Sequence, residues 1–276
     1  MSVINTNVKS IVAQNALAVN NRSLSKAMEQ LSTGKRINTA ADDAAGLAIT
    51  DRMTAQIRAL NQSIRNANDA VSMMQTAEGA TNEISNMLQR MRELAVQSAN
   101  DSYGTNDRSA LQTENDQLKE EITRIANNTQ WNGMSVLNGN IGSAGVVTFQ
   151  VGTQGDATSS ITVEFKALDA TTLTVDGLQL DSNANAQAAI GKLDTAIQTV
   201  DTFRATLGAK INRMTSAADN LSNVSMNTSA SRSRIMDADY AQATTELARS
   251  QIIQQAATAM LAQANQQPQA VLSLLK

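Results

Sequence analysis

The chain has 276 residues, a formal net charge of −3, 42% hydrophobic and 2% aromatic residues, one proline, no cysteine and no histidine. That content excludes disulfides, zinc–thiolate centres, cysteine nucleophiles and histidine general bases, and the balanced charge leaves no nucleic-acid footprint. The core falls to Ala, Leu, Ile, Val and Met, which suit helix axes ~8–10 Å apart, and the near absence of proline, which costs ~3 kcal/mol inside a helix, permits very long helices.

The first segment, about residues 5–33, carries Ile4, Val8, Ile11, Leu17, Leu24, Met28 and Leu31. Their spacings, mostly three, four and seven, draw one apolar stripe on a helix. Gly34 is its expected C-cap. The opening residues MSVINTNVKSIVAQNALAVNNRSLSKAM lack the positive region and unbroken apolar run of a secretory leader. No stretch of ~18 apolar residues occurs, so neither a cleavable signal nor a membrane span is expected. The polar linker GKRINTAADDAAG follows. Asp42 and Asp43 read there as carboxylates at a helix N-terminus rather than as a cation site. Lys35 and Arg36 are either a solvated turn or a partner patch.

The second segment, about 43–100, gives the clearest signal. Met53, Ile57, Leu60, Ile64, Ala67, Val71 and Met74 alternate spacings of four and three. Met73, Ala77, Ala80, Ile84, Met87, Met91 and Leu94 repeat the pattern shifted by one residue. This is a heptad seam with one phase slip at Met73–Met74. Methionines there are adaptable core rather than a ligand surface. A helix of this length spans roughly 85 Å at 1.5 Å per residue.

DSYGTND reverses the chain. A third helix, about 108–127, is marked by Leu111, Leu118, Ile122 and Ile125, with Asn106 or Asp107 as its N-cap. TQWNGMSVLNGNIGSAG reads as loop. Alternation at Val147, Phe149, Val151 and at Ile161, Val163, Phe165 predicts an antiparallel hairpin, with a further extended piece around Leu173, Val175 and Leu178. A fourth helix, about 185–223, restores the heptads with Ala186, Ile190, Leu193, Ile197, Val200, Phe203, Leu207, Ile211, Met214, Ala218 and Leu221. SRSRIMDADY is a charged junction. A last helix, about 240–265, carries Leu247, Ile252, Ile253, Ala256, Met260 and Leu261 before Pro268 and the apolar tail VLSLLK.

The predicted fold is mainly α: a long antiparallel helical or coiled-coil bundle, an elongated rod, with a small β-hairpin subdomain at about 145–180. Residues 1–42 and 235–276 form the terminal helices, and 43–234 form the rod.

LSTGKRINTAADDAAGLAITDRMTAQIRAL, LQRMRELAVQSAN and TQWNG resemble the N-terminal signature of bacterial flagellins, and ARSQIIQQAATAMLAQANQQPQAVLSLLK resembles their C-terminal one. The matching blocks cover roughly residues 1–137 and 193–276. The resemblance implies a subunit that polymerises into the extracellular flagellar filament for swimming motility. By that resemblance the terminal helices form the innermost tube, the long helices form the next shell, and a minimal form lacks the large outer domains of many relatives. It implies export unfolded through the flagellum, without a cleavable signal, and addition at the tip. The implied partners are copies of itself, the filament cap, hook-junction proteins, an export chaperone and the export apparatus. No cofactor, metal, nucleic acid or membrane is implied.

The inner-core packing residues expected on this basis are Leu17, Leu24, Leu31, Leu247, Ile252, Ile253, Met260 and Leu261. Isolated helices with such stripes are marginal, so their ordering is expected to accompany assembly. In flagellins recognised by Toll-like receptor 5, an Arg, a Leu and a Glu form the core epitope. QRMRELAVQ places Arg90 and Leu94 in the first two roles, on one helical face, and Glu114 in the third. Met91 stands where the family more often has an aliphatic such as Val. Some flagellins carry a zinc peptidase that needs His-Glu-x-x-His, and a chain without histidine is not expected to be an enzyme. The alternatives are a hook–filament junction protein, and a secretion-needle translocator or soluble coiled-coil scaffold.

Overall fold

The structure, a computed structural model, describes residues 6–273, apart from the side chains at 157 and 267–273. Ile4 and the end of the VLSLLK tail lie outside the described residues. Among the described residues there are five helices: α1 Val8–Thr33, α2 Ala44–Ser98, α3 Thr105–Asn128, α4 Asn183–Met236 and α5 Tyr240–Ser273. Two small antiparallel strand pairs join them: β1 Gln130–Trp131 with β2 Met134–Ser135, and β3 Val146–Gln150 with β4 Ser160–Glu164. The chain divides into two compact units, one of residues 1–55 with 226–276 and one of residues 56–225.

In the second unit, both seams of α2 are used. Met73 and Met74 are each almost fully buried, as are Ala67, Ala77, Ile84, Met91 and Leu94. The phase slip lets one helix face the core on either side of it. α4 answers with Ala186, Leu193, Val200, Phe203, Leu207 and Met214, and α3 with Ile122 and Ala126. The Arg92 guanidinium meets the Asp194 carboxylate at 2.5 Å, and the Ser225 hydroxyl bonds the Asn61 amide oxygen at 3.0 Å. Advance along α2 is therefore matched by retreat along α4, and the two helices run antiparallel.

The hairpin register follows the alternation, with Val147 opposite Val163 and Phe149 opposite Ile161. Several local expectations are corrected. TQWNGMSV is a tight hairpin rather than plain loop: Asn132 (φ 50°) and Gly133 (φ 77°) both adopt the left-handed conformation that a two-residue turn needs. The N-cap of α3 is Gly104, with the Asp107 carboxylate accepting its N–H at 3.0 Å from the third helical position. Leu173, Val175 and Leu178 are buried, but in irregular backbone rather than a strand. The side-chain amide of Gln112 on α3 donates to the Leu178 carbonyl, and its oxygen accepts from Leu180 N–H at 2.6 Å, replacing strand pairing.

In the first unit, Asn7 caps α1 by accepting the Ser10 N–H, and Gly34 (φ 68°) ends the helix with its N–H on the Gln30 carbonyl. Asp43 caps α2 by accepting the Gly46 N–H at 2.8 Å. Gly46 has no room for a Cβ, which would lie 2.7 Å from the Ile37 side chain. The expected junction SRSRIMDADY is largely helical. α4 continues to Met236, and the break shrinks to Asp237–Asp239, with Asp239 capping α5. Arg232 explains part of the extension, because its guanidinium reaches the Thr54 hydroxyl on α2.

Candidate functional site

The terminal helices α1 and α5 pair antiparallel. The Asn7 amide donates to the Ala264 carbonyl, Asn20 to that of Ser250, and the Tyr240 hydroxyl to that of Leu31, at 2.8, 2.8 and 3.2 Å. Buried side chains of α1 are only Ser10, Asn20 and Ala27, and α5 adds Ala243 and Ser250. Small and polar residues therefore fill the most buried positions of this pair, a signal that apolar periodicity does not carry.

The large apolar residues divide between partly covered and outward-facing positions. Leu17, Leu24, Leu31, Leu247 and Leu261 are half-buried, whereas Ile252, Ile253 and Met260 are exposed, as are Val8, Ile11, Val12, Val19 and Met28. Part of this face forms a groove of about 450 Å³ lined by Val8, Val12, Ala13, Met260 and Ala264, with Lys9 and Gln263 at its polar side. An exposed apolar surface of this kind on paired helices is a candidate contact for another chain.

The turn between α1 and α2 is joined to the α4–α5 junction. Lys35 forms a β-bridge with Asp237, Arg36 N–H donates to the Met236 carbonyl, and the Arg36 guanidinium donates twice to the Ile235 carbonyl. Lys26 meets Asp42 at 2.8 Å. That ion pair, followed by the N–H groups of Thr39 and Asn38, holds the Asp42 carboxyl well below the usual carboxylate range.

The three expected epitope residues do not present themselves alike. Arg90 on α2 bridges Glu93 and Glu114 of α3 at 3.0 and 2.9 Å, and these acceptors raise its pKa. Arg90 and Glu114 are exposed, but Leu94 is 1% exposed and belongs to the core. Leu94 lies on the seam that its apolar spacing predicts, with Met91 and Ala95, so of the three expected epitope positions Arg90 and Glu114 are at the surface and Leu94 is beneath it. Among the described residues, no cluster of His, Cys, Asp or Glu could hold a metal, and no helix is long and apolar enough to cross a membrane.

The family model for the bacterial flagellin N-terminal helical region matches residues 4–141, and that for the C-terminal helical region matches residues 190–275. A flagellin of Halalkalibacterium halodurans is 44% identical over 99% of this chain and 100% of its own length. Flagellin A of Vibrio cholerae is 35% identical over 99% of both chains, in an alignment of 378 positions, so it carries sequence that this shorter chain lacks. The crystal structure of Bacillus cereus flagellin matches with a TM-score of 0.50 and 38% identity over 57% of this chain and 88% of that one. A putative flagellar hook-associated protein from Vibrio parahaemolyticus aligns with a TM-score of 0.59 over 71% of this chain and all of its own, at 15% identity, a likeness of fold alone.

Proposed function

This chain belongs to the bacterial flagellin family, a structural subunit of the flagellar filament, and from that premise we propose that the exposed apolar faces of α1 and α5 are its polymerising surface. The observation that carries this reading is the exposure of Ile252, Ile253, Met260, Val8 and Val12 on helices whose most buried positions hold small and polar side chains. Heterologous contacts that do not close into a ring give open helical polymers, and burying this face against neighbouring copies supplies the affinity. Residues 1–42 and 235–276 form the inner layer, and the remainder, with its hairpin, faces outward. The subunit travels unfolded through the flagellum, past its chaperone and export apparatus, and is added at the tip beneath the cap. The sparse apolar burial in α1 and α5 supports helices that reach full order only on assembly.

Limited proteolysis tests this reading. The free subunit is expected to be cut within α1 and α5 while residues 56–225 persist, and polymerised protein to resist at the same bonds. Equal resistance of the ends in both states would contradict it.

For Toll-like receptor 5, the exposed Arg90–Glu114 pair supports recognition, with Leu94 acting from beneath as packing. Arg90→Ala and Glu114→Ala are expected to lower activation of receptor-bearing reporter cells several-fold. Unchanged activation by both would remove these residues from the epitope.

A further inference from the structure

With no cysteine in the chain, the methionine thioethers are the sulfur atoms open to mild oxidants. Met73, Met74, Met91 and Met214 are at most 1% exposed, whereas Met260 is 66% exposed, Met226 60%, Met28 54% and Met134 42%. Met260 is also the one sulfur-bearing residue of the apolar groove whose other lining residues are Val8, Lys9, Val12, Ala13, Gln263 and Ala264.

We propose that Met260 is an oxidation site through which peroxide blocks polymerisation of the free subunit. The inference rests on the reading of the α1–α5 face as the polymerising surface. Peroxide transfers one oxygen to the Met260 Sδ. The S–O bond forms, the O–O bond breaks and water leaves, with sulfur oxidised by two electrons and peroxide reduced. The product is a polar, chiral sulfoxide in place of a flexible apolar side chain. On the free subunit it is hydrated at no cost. In the polymer its S–O dipole would be taken from water into a groove lined mainly by valine and alanine, with Lys9 and Gln263 as its polar lining, and burying that dipole carries a desolvation cost that burying the thioether does not. Oxidation thus leaves the subunit folded and removes its capacity to add. Met73, Met74, Met91 and Met214 of the second unit are shielded, whereas Met134 on β2 is exposed. Once a copy is in place, the same face is covered and Met260 is protected.

The test uses purified full-length subunit treated with dilute hydrogen peroxide, quenched, and offered to fragments of untreated filament. Peptide mass spectrometry locates the sulfoxide, circular dichroism reports helix content, and pelleting reports elongation. Elongation is expected to fall in proportion to the Met260 sulfoxide fraction, with helix content unchanged, and to return on treatment with methionine sulfoxide reductase. Met260→Leu, which nearly conserves volume, is compared with itself before and after peroxide: whatever its untreated rate, treatment is expected not to lower it. Undiminished elongation of subunit fully oxidised at Met260 would overturn the proposal. So would loss in Met260→Leu equal to that in the unsubstituted chain, or failure of the reductase to restore growth. Failure of untreated subunit to elongate would instead strike the underlying assembly reading.

Discussion

Two side chains show how single residues set local stability. Asp42 gathers the Lys26 ammonium, the Thr39 and Asn38 N–H groups and the Thr39 hydroxyl, and its pKa is driven down by them in that order of strength. An acid whose folded pKa lies below its unfolded value adds stability above the unfolded value, near 3.9 for Asp. That stability is lost as pH falls through the folded value. Asp42→Asn is therefore expected to lower the melting temperature at pH 7, and the difference from the unsubstituted chain should narrow as pH drops below about 4. A pH-independent difference would contradict this account. Asn115 presents the opposite case. It is fully buried on α3, and neither its amide nitrogen nor its oxygen has a hydrogen-bond partner. Asn115→Leu removes two unpaired polar atoms from an apolar site and should stabilise the chain by about 1–3 kcal/mol, read from the urea midpoint.

At the level of elements, the long helices were legible because one face of each is buried along its length. Apolar spacing of four and three in α2 and α4 maps onto the buried rows, including both seams that meet at Met73–Met74. The ends of elements were less legible, for identifiable reasons. The serines and arginines of SRSRIM look like a junction, yet a helix tolerates them when a partner helix offers contacts such as Thr54 to Arg232. The Asn132–Gly133 turn did carry a local signal, masked by the surrounding Asn and Gly. Leu173–Leu180 reads as extended because it is apolar, but its backbone is held by Gln112 rather than by another strand. In the candidate site, the exposed stripe was visible, whereas the polar contact beneath it was not, since Asn20 and Ser250 sit outside any apolar period. Asn20→Ala removes the bond to the Ser250 carbonyl and should weaken the α1–α5 pairing by ~1 kcal/mol. The expected readout is faster amide hydrogen exchange in α1 and α5 with little change in residues 67–95.

At the scale of the whole molecule, the two compact units differ in how they are held. Residues 56–225 share one apolar core built from α2, α3, the hairpin segment and α4. In the terminal unit, buried apolar side chains are few, chiefly Ala27, Ile37 and Ala243, while large aliphatics remain outside. On the proposed reading, a chain organised this way keeps one part stable and reserves the other for binding to copies of itself. The most direct test is seeded elongation of Ile252→Asp, a substitution at a site already exposed in the subunit. We predict near-complete loss of filaments in electron micrographs, with residues 56–225 still protease-resistant. Filaments at normal yield from Ile252→Asp would contradict the assignment of this face as the surface that builds the polymer.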